Sequence, residues 1–266
     1  MKNTLIVLLL ATMPFVAVIA QENGDQNPDR WKKFIHVEAG LLYPEGTIKE
    51  SVSIRQNISY YYVNQYSSGY VSSNTSGLVV GVRYGYFIPG IRSGISTGLR
   101  FNGFNTEISG YTSSISDFFF LRYSMEESDT KFARVKSLSE SRYLLTVPLE
   151  VNFVPFIYKN ASLFAKAGAE YSVVNFRSGA AIDFQDENMD IHEKAILGNI
   201  SGAPNRQYAT FYSSIGIKIG QQNGLNYLFE AFLPSFFLTK NNFSLIDVDY
   251  FAGFKLSIQF QVKNKN

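Results

Sequence analysis

The side chains able to do acid–base or nucleophilic work are few in this chain. It has two histidines, His36 and His192, and no cysteine. Catalysis by either histidine needs a nucleophile and an orienting partner converging on it. His36 stands two residues before Glu38. His192 lies in Asp190-Ile191-His192-Glu193, where a loop histidine among carboxylates is ordinarily just solvated. No nucleophile motif accompanies either one. The carboxylates Asp183, Asp186, Glu187, Asp190 and Glu193 offer oxygen ligands for a divalent cation. They lack the ordered spacing and the glycine of a calcium loop, so a solvated acidic connection is expected instead. Asn57, Asn74, Asn160, Asn199 and Asn242 each begin an Asn-x-Ser triplet. In so Asn- and Ser-rich a chain, chance accounts for them. No catalytic, cofactor-binding or metal-ligating residue is assigned.

The elements carrying these residues are read most clearly at Val248 to Val262, VDYFAGFKLSIQFQV. Its even positions, from Val248 through Phe254 and Leu256 to Val262, are apolar; its odd positions are nearly all polar or small. Successive strand side chains point to opposite faces, so this is one greasy face and one wet face. The same alternation predicts seven more strands: Phe34 to Tyr43, Leu78 to Ile88, Ile91 to Phe104, Tyr143 to Val154, Leu163 to Phe176, Phe211 to Gly220 and Leu225 to Leu238. Pro148 predicts a local distortion in the fourth. Pro89-Gly90 and Asn223-Gly224 predict tight turns.

Long connections, Thr47 to Ser76, Asn105 to Ser141 and Arg177 to Tyr208, alternate with short ones. In a meander, every second connection lies at the same end. The long connections therefore share one rim, as the external loops of outer-membrane barrels do. A ten-stranded alternative would use Ile115 to Tyr123 and part of Thr130 to Leu138 as an extra hairpin.

Met1-Lys2, the apolar run Leu5 to Ala11 and the small residues Val18 and Ala20 read as a secretory signal peptide cut after Ala20. Residues 21–33 are expected to be a flexible periplasmic lead-in, 34–262 the barrel and 263–266 a tail. With no cysteine there is neither a disulfide nor a lipoprotein attachment, which fits a bacterial envelope. The net charge of +2 offers no argument for nucleic acid. Near-neutral mean hydropathy argues against a helical membrane protein but suits a barrel, whose alternation averages out.

The apolar face is expected to meet lipid and the polar face to fill the lumen. Gly40, Gly81, Gly85, Gly94, Gly98, Gly168, Gly216 and Gly253 lie on the polar face, where a narrow barrel needs small residues. On the same face Arg83, Arg92, Arg100, Lys166, Lys218 and Lys255 oppose Glu38, Glu150, Glu170, Glu230 and Asp249. Buried charges persist when paired, so a nearly neutral lumen network is expected, with His36 as a hydrogen-bonded member. Such a lumen predicts no open pore. Tyr43, Tyr84, Tyr86, Tyr143, Tyr171, Tyr227, Tyr250 and Phe260 are candidates for interfacial girdles.

YLLTVPLEVNF at Tyr143 to Phe153, LFAKAGAEYSV at Leu163 to Val173 and the aromatic last strand resemble the outer-membrane β-barrel proteins of Bacteroidetes called PorT-like. The resemblance covers essentially the whole mature chain and marks a fold more than an activity. It implies a link to type IX protein secretion for some relatives. It also implies handling by the barrel assembly machinery, although Phe260 is followed by Gln261 to Asn266, where such chains commonly finish on the aromatic. The expected class is thus an all-β, eight-stranded, antiparallel, up-and-down transmembrane barrel with long external loops. Its expected surroundings are outer-membrane lipid and a protein or cell-surface partner of those loops. Tyr60, Tyr61, Tyr62, Tyr66 and Tyr70 would supply an adhesive surface. The competing expectation is an outer-membrane hydrolase acting on lipid or peptide at the outer rim through His36 or His192.

Overall fold

The computed structural model describes residues 32–55, 58–61, 65–68, 70–112, 115–126, 129–202, 204–205, 207–220 and 225–262. At 58–61, 65–68, 112, 115, 125–126, 129 and 177–178 the backbone alone is described. The expected signal peptide (1–20), most of the lead-in, the Gln221 to Gly224 turn and the 263–266 tail lie outside the described residues.

The strands are β1 Lys32–Ile48, β2 Ile54–Arg55, β3 Ile58–Tyr61, β4 Gln65–Ser68, β5 Tyr70–Ile88, β6 Ser93–Thr112 and β7 Ile115–Asp117. They continue with β8 Phe119–Glu126, β9 Asp129–Tyr158, β10 Ala161–Phe184, β11 Ala209–Gly220, β12 Leu225–Phe237 and β13 Ile246–Val262. A 3-10 turn at Glu187–His192 leads into the one α-helix among the described residues, α1 Glu193–Ile200. Strands β1, β5, β6, β9, β10, β11, β12 and β13 pair in that order, each antiparallel to the next, and β13 pairs back to β1. The ring is closed at eight strands, so no ring strand leaves an unpaired edge along the lipid-facing wall. Lys32 and Lys33 belong to β1, so the lead-in ends slightly earlier than expected.

The faces follow the alternation. Val37, Val82, Leu99, Leu149, Ile217 and Leu256 point outward and are exposed, whereas Glu38, Arg83, Arg100, Glu150 and Lys255 point inward and are buried. Apolar side chains left on the outside and charges kept inside are the inverse of a water-soluble barrel. In hydrocarbon every backbone polar group needs an internal partner, which a closed ring supplies. This is a transmembrane, outer-membrane type of β-barrel. Aromatic pairs stand near both ends of the apolar band. Tyr84 and Tyr86 meet edge to face at 5.2 Å near the short turns. Phe101 stacks on Tyr143 at 6.0 Å, with Phe176 at 6.2 Å, near the long connections. From Ile35 to Tyr43 the outward residues of β1 span about 27 Å along the strand, or about 21 Å along the axis at the usual tilt.

Pro148 has no N–H to give. Pairing of β9 with β6 holds at Thr97 with Leu149 and again at Arg100 with Thr146 but skips the residues between, without a change of register. Glycines on the inner face make room for large neighbours. A Cβ on Gly168 would lie 2.6 Å from the Tyr212 ring, and one on Gly216 would collide with the Phe164 ring.

The long connections differ from expectation. Much of Thr47 to Ser76 and of Asn105 to Ser141 is strand, as is the start of Arg177 to Tyr208, through Phe184. β5 and β6 stay paired out to Tyr70 and Tyr111, and β9 and β10 out to Val135 and Phe184. On the other side, β10 and β11 part at Tyr171 and Ala209. The wall is therefore tall on one side and short on the other. The ten-stranded alternative is not what forms. β6 pairs with β9 as far as Ser109 with Ser137, and β8 then takes the same edge of β9 from Val135 outward. The β8–β9 hairpin extends the tall wall and adds no strand to the ring.

Candidate functional site

Every strand of the ring sends a polar side chain into one lumen cluster. Glu38 comes from β1, Arg83 from β5, Arg100 and Asn102 from β6, and Glu150 from β9. Lys166 and Glu170 come from β10, Tyr212 and Ser214 from β11, Glu230 from β12 and Lys255 from β13. Glu38 meets Arg83 at 2.7 Å, Arg100 at 2.8 Å and Lys255 at 3.1 Å. Glu150 pairs with Arg83, lies 2.8 Å from Arg100 and 3.6 Å from Lys255, and accepts from the Tyr212 hydroxyl at 2.7 Å. Glu170 pairs with Arg100 and accepts from the Asn102 amide. Glu230 holds Lys166 at 2.5 Å and Lys255 at 3.2 Å, and accepts from Ser214 at 2.7 Å. Four cations face four carboxylates, so the cluster is neutral, and each carboxylate has at least two donors.

Three expected members stand apart. Asp249 is exposed next to the shift of register between Glu45 and Gly46, which turns it out of the lumen. Arg92 lies in the turn before β6, at a φ of 50°, and donates to the Pro155 carbonyl. Lys218 is half-buried, its ammonium 5.9 Å from the Phe87 ring. His36 is in the lumen as expected, only 5% exposed, but it is not hydrogen-bonded through Nδ1; its ring meets Phe34 edge-on at 6.3 Å.

Above the ionic cluster the inner face changes character. Phe104 and Ile108 of β6, Leu121 of β8, Val135 and Leu138 of β9, and Ile182 and Phe184 of β10 form an apolar core. Val52, from the turn before β2, Phe243 and Leu245, from the connection between β12 and β13, and Ile246, at the start of β13, join it, and Ile196 and Ile200 of α1 pack with them. Between the two layers is a cavity of about 20 Å³, lined by Asn102, Glu170, Tyr208 and Phe237 among others. It has room for about one water molecule, not a ligand. The lumen is filled twice over, by charge and then by hydrocarbon.

The chemically suggestive residues do not converge. His36 is on the periplasmic half of β1, opposite Arg83 and Gln259, while His192 precedes α1 on the external side. The acidic run serves local structure. Asp186 accepts from the Asn188 N–H at 3.1 Å, Glu193 accepts from the Ile182 N–H at 2.8 Å, and Asp183 lies 3.6 Å from Lys136. Among the described residues no group of three metal-ligating side chains is gathered. Of the tyrosines expected to be adhesive, Tyr62 and the side chains of Tyr60, Tyr61 and Tyr66 lie outside the described residues; the backbones of β3 and β4 pair, Tyr60 opposite Tyr66. Tyr70 is 49% exposed and stacks on Tyr111 at 5.5 Å.

Sequence reasoning missed Glu140. This carboxylate, buried at the foot of the apolar core, accepts from the Ser244 and Leu245 N–H groups. It sits within a stretch read as a loop, and nothing in its local sequence marks it.

No family model matches the chain, and no curated protein matches it. Solved structures that it resembles are outer-membrane barrels. The outer membrane protein OprG of Pseudomonas aeruginosa is 10% identical, with 87% of this chain and 97% of that one covered, at a TM-score of 0.41. Ail, the attachment invasion locus protein of Yersinia pestis, solved with the heparin analogue sucrose octasulfate, is 10% identical, with 86% and 99% covered, at 0.30. The outer membrane protease OmpT of Escherichia coli is 10% identical, with 91% and 100% covered, at 0.29. Likeness this distant describes shape and decides nothing about activity.

Proposed function

We propose that this is a non-enzymatic outer-membrane barrel, of the PorT-like kind, whose external extension engages a partner at the cell surface. One observation carries this reading. The lumen is filled by a neutral ionic cluster and an apolar core, while the wall continues outward as a built structure with its own buried interior. An ordered extension of that size contributes nothing to a closed barrel's fit in lipid, so its use lies on its outer surface. Exposed aromatic side chains there, Phe132 and Tyr70, support contact. An accessory role in protein secretion rests only on the resemblance of Tyr143–Phe153, Leu163–Val173 and the last strand.

The test is attachment of cells that make the protein to neighbouring cells and to coated surfaces. Wild type is compared with a variant lacking residues 56–69 and carrying Phe132→Ser. Reduced attachment at equal surface level is expected; attachment identical to wild type overturns the reading. The hydrolase alternative is met by His36→Ala and His192→Ala, since an activity insensitive to both excludes any mechanism based on histidine.

A further inference from the structure

The outward face of the β8–β9 hairpin, extended by β2, carries an ordered mixture of rings and cations. Arg55, Phe120 and Arg134 stand side by side across the three strands, and Arg122 is opposite Phe132 in the next row. Phe118 completes the surface, edge-on to Phe120 at 5.5 Å and with the Arg134 guanidinium 5.5 Å from its ring centre. The same rows face inward as Phe119, Leu121, Ala133 and Val135, all buried in the core. The face is thus rigidly backed, and its rings and cations alternate because the strands impose the order. Arg55, Arg122 and Arg134 are exposed, and Phe132 is 50% exposed. No carboxylate occupies the outward positions of Phe118–Ser124 or Thr130–Lys136; Asp183 borders the patch and pairs with Lys136.

From this surface we infer that the partner is an acidic polysaccharide, met by guanidinium groups at its anions and by phenyl rings against the C–H faces of its sugars. This deepens the reading that the external extension engages a partner, and rests on it. Three exposed guanidiniums, with no carboxylate at the outward positions of Phe118–Ser124 or Thr130–Lys136, favour a polyanion, and arginine suits sulfate or carboxylate oxygens better than lysine does. Spacing matters too. Cross-strand neighbours lie about 5 Å apart and residues two apart on one strand about 7 Å, the scale of one sugar unit. Phe118 is already engaged by Phe120 and Arg134, while Phe132 stays half exposed. A sugar needs only such a partial apolar surface. Arg134 lies nine steps along β9 from the aromatic rim at Tyr143. At the usual rise and tilt that places the patch roughly 20 Å above the hydrocarbon, in the layer where surface glycans lie.

The experiment uses the full barrel in lipid nanodiscs. Dextran sulfate is compared with uncharged dextran of equal length, polyglutamate and single-stranded DNA by biolayer interferometry. Dextran sulfate is expected to bind best, Arg122→Ala and Arg134→Ala each to weaken it about tenfold, and Phe132→Ala to weaken it several-fold with the salt dependence unchanged. Arg122→Lys, which keeps the charge and the fold, is expected to recover only part of the binding. Equal binding of polyglutamate or DNA, or no effect of Phe132→Ala, overturns the inference. So does absence of dextran sulfate binding. If that absence comes with attachment that still depends on the external extension, only the glycan is wrong; if attachment is lost as a property as well, the underlying reading falls with it.

Discussion

Glu140 holds Ser244 across 104 residues of chain. Its two carboxylate oxygens accept from the Ser244 N–H at 2.7 and 2.8 Å and from the Ser244 hydroxyl at 2.9 Å. The Leu245 N–H adds a bond at 3.0 Å. One buried side chain of β9 thereby pins the connection between β12 and β13 onto the apolar core, where Phe243, Leu245 and Ile246 are buried. Replacing Glu140 with Ala leaves two N–H groups buried and unsatisfied, at a cost of about 3 kcal/mol. Urea unfolding in detergent, with limited proteolysis of residues 238–245, checks it: lower stability and earlier cleavage are expected. A loss under about 0.5 kcal/mol would show that Glu140 does not fasten the connection.

The neutrality of the lumen makes its members interdependent. Glu230→Gln strips Lys166 and Lys255 of a shared carboxylate and leaves one excess positive charge among buried side chains. The expected cost is about 3–5 kcal/mol. Adding Lys166→Met restores the balance and should recover at least half of that loss, since breaking a buried pair costs more than removing both partners. Unfolding midpoints of the two single variants and the double variant decide the matter. Strict additivity would mean that the charges are not coupled.

Neighbouring residues of β13 separate the two faces. Leu256 is 58% exposed on the outside and Ser257 is 3% exposed on the inside. Leu256→Arg puts a charge into hydrocarbon and should cost about 2–4 kcal/mol in lipid vesicles. Ser257→Arg adds a fifth cation to a balanced lumen, and a paired Ser257→Ala control should be nearly silent. If both arginine variants fold with wild-type stability, neither residue faces the surroundings assigned to it.

The eight ring strands, their faces and most lumen charges were legible because one rule governs every strand inside the membrane: apolar out, polar in. Beyond the hydrocarbon the rule reverses. On β6, Leu99 points out and Arg100 in; farther along, Glu107 points out and Ile108 in. On β10, Tyr171 and Glu170 give way to Asp183 outside and Ile182 inside. Alternation continues while its polarity changes sign, so the strand extensions read as polar loops. Asp249 was misplaced for a related reason, because the slip of register at Glu45 and Gly46 depends on the partner strand and leaves no mark on β13 itself. Glu140 and Ser244 lie too far apart in sequence for either to point to the other. The patch on β8 and β9 became visible only once Phe120 and Arg134 were known to be opposite each other.

The central claim is that the barrel is sealed and acts from its outer surface, and it is tested most directly by conductance of the purified protein in planar bilayers. Arg83, Arg100, Lys166 and Lys255, locked onto Glu38, Glu150, Glu170 and Glu230, predict a baseline without stable channel steps at neutral pH and moderate salt. Large, long-lived steps from wild-type protein would contradict that claim.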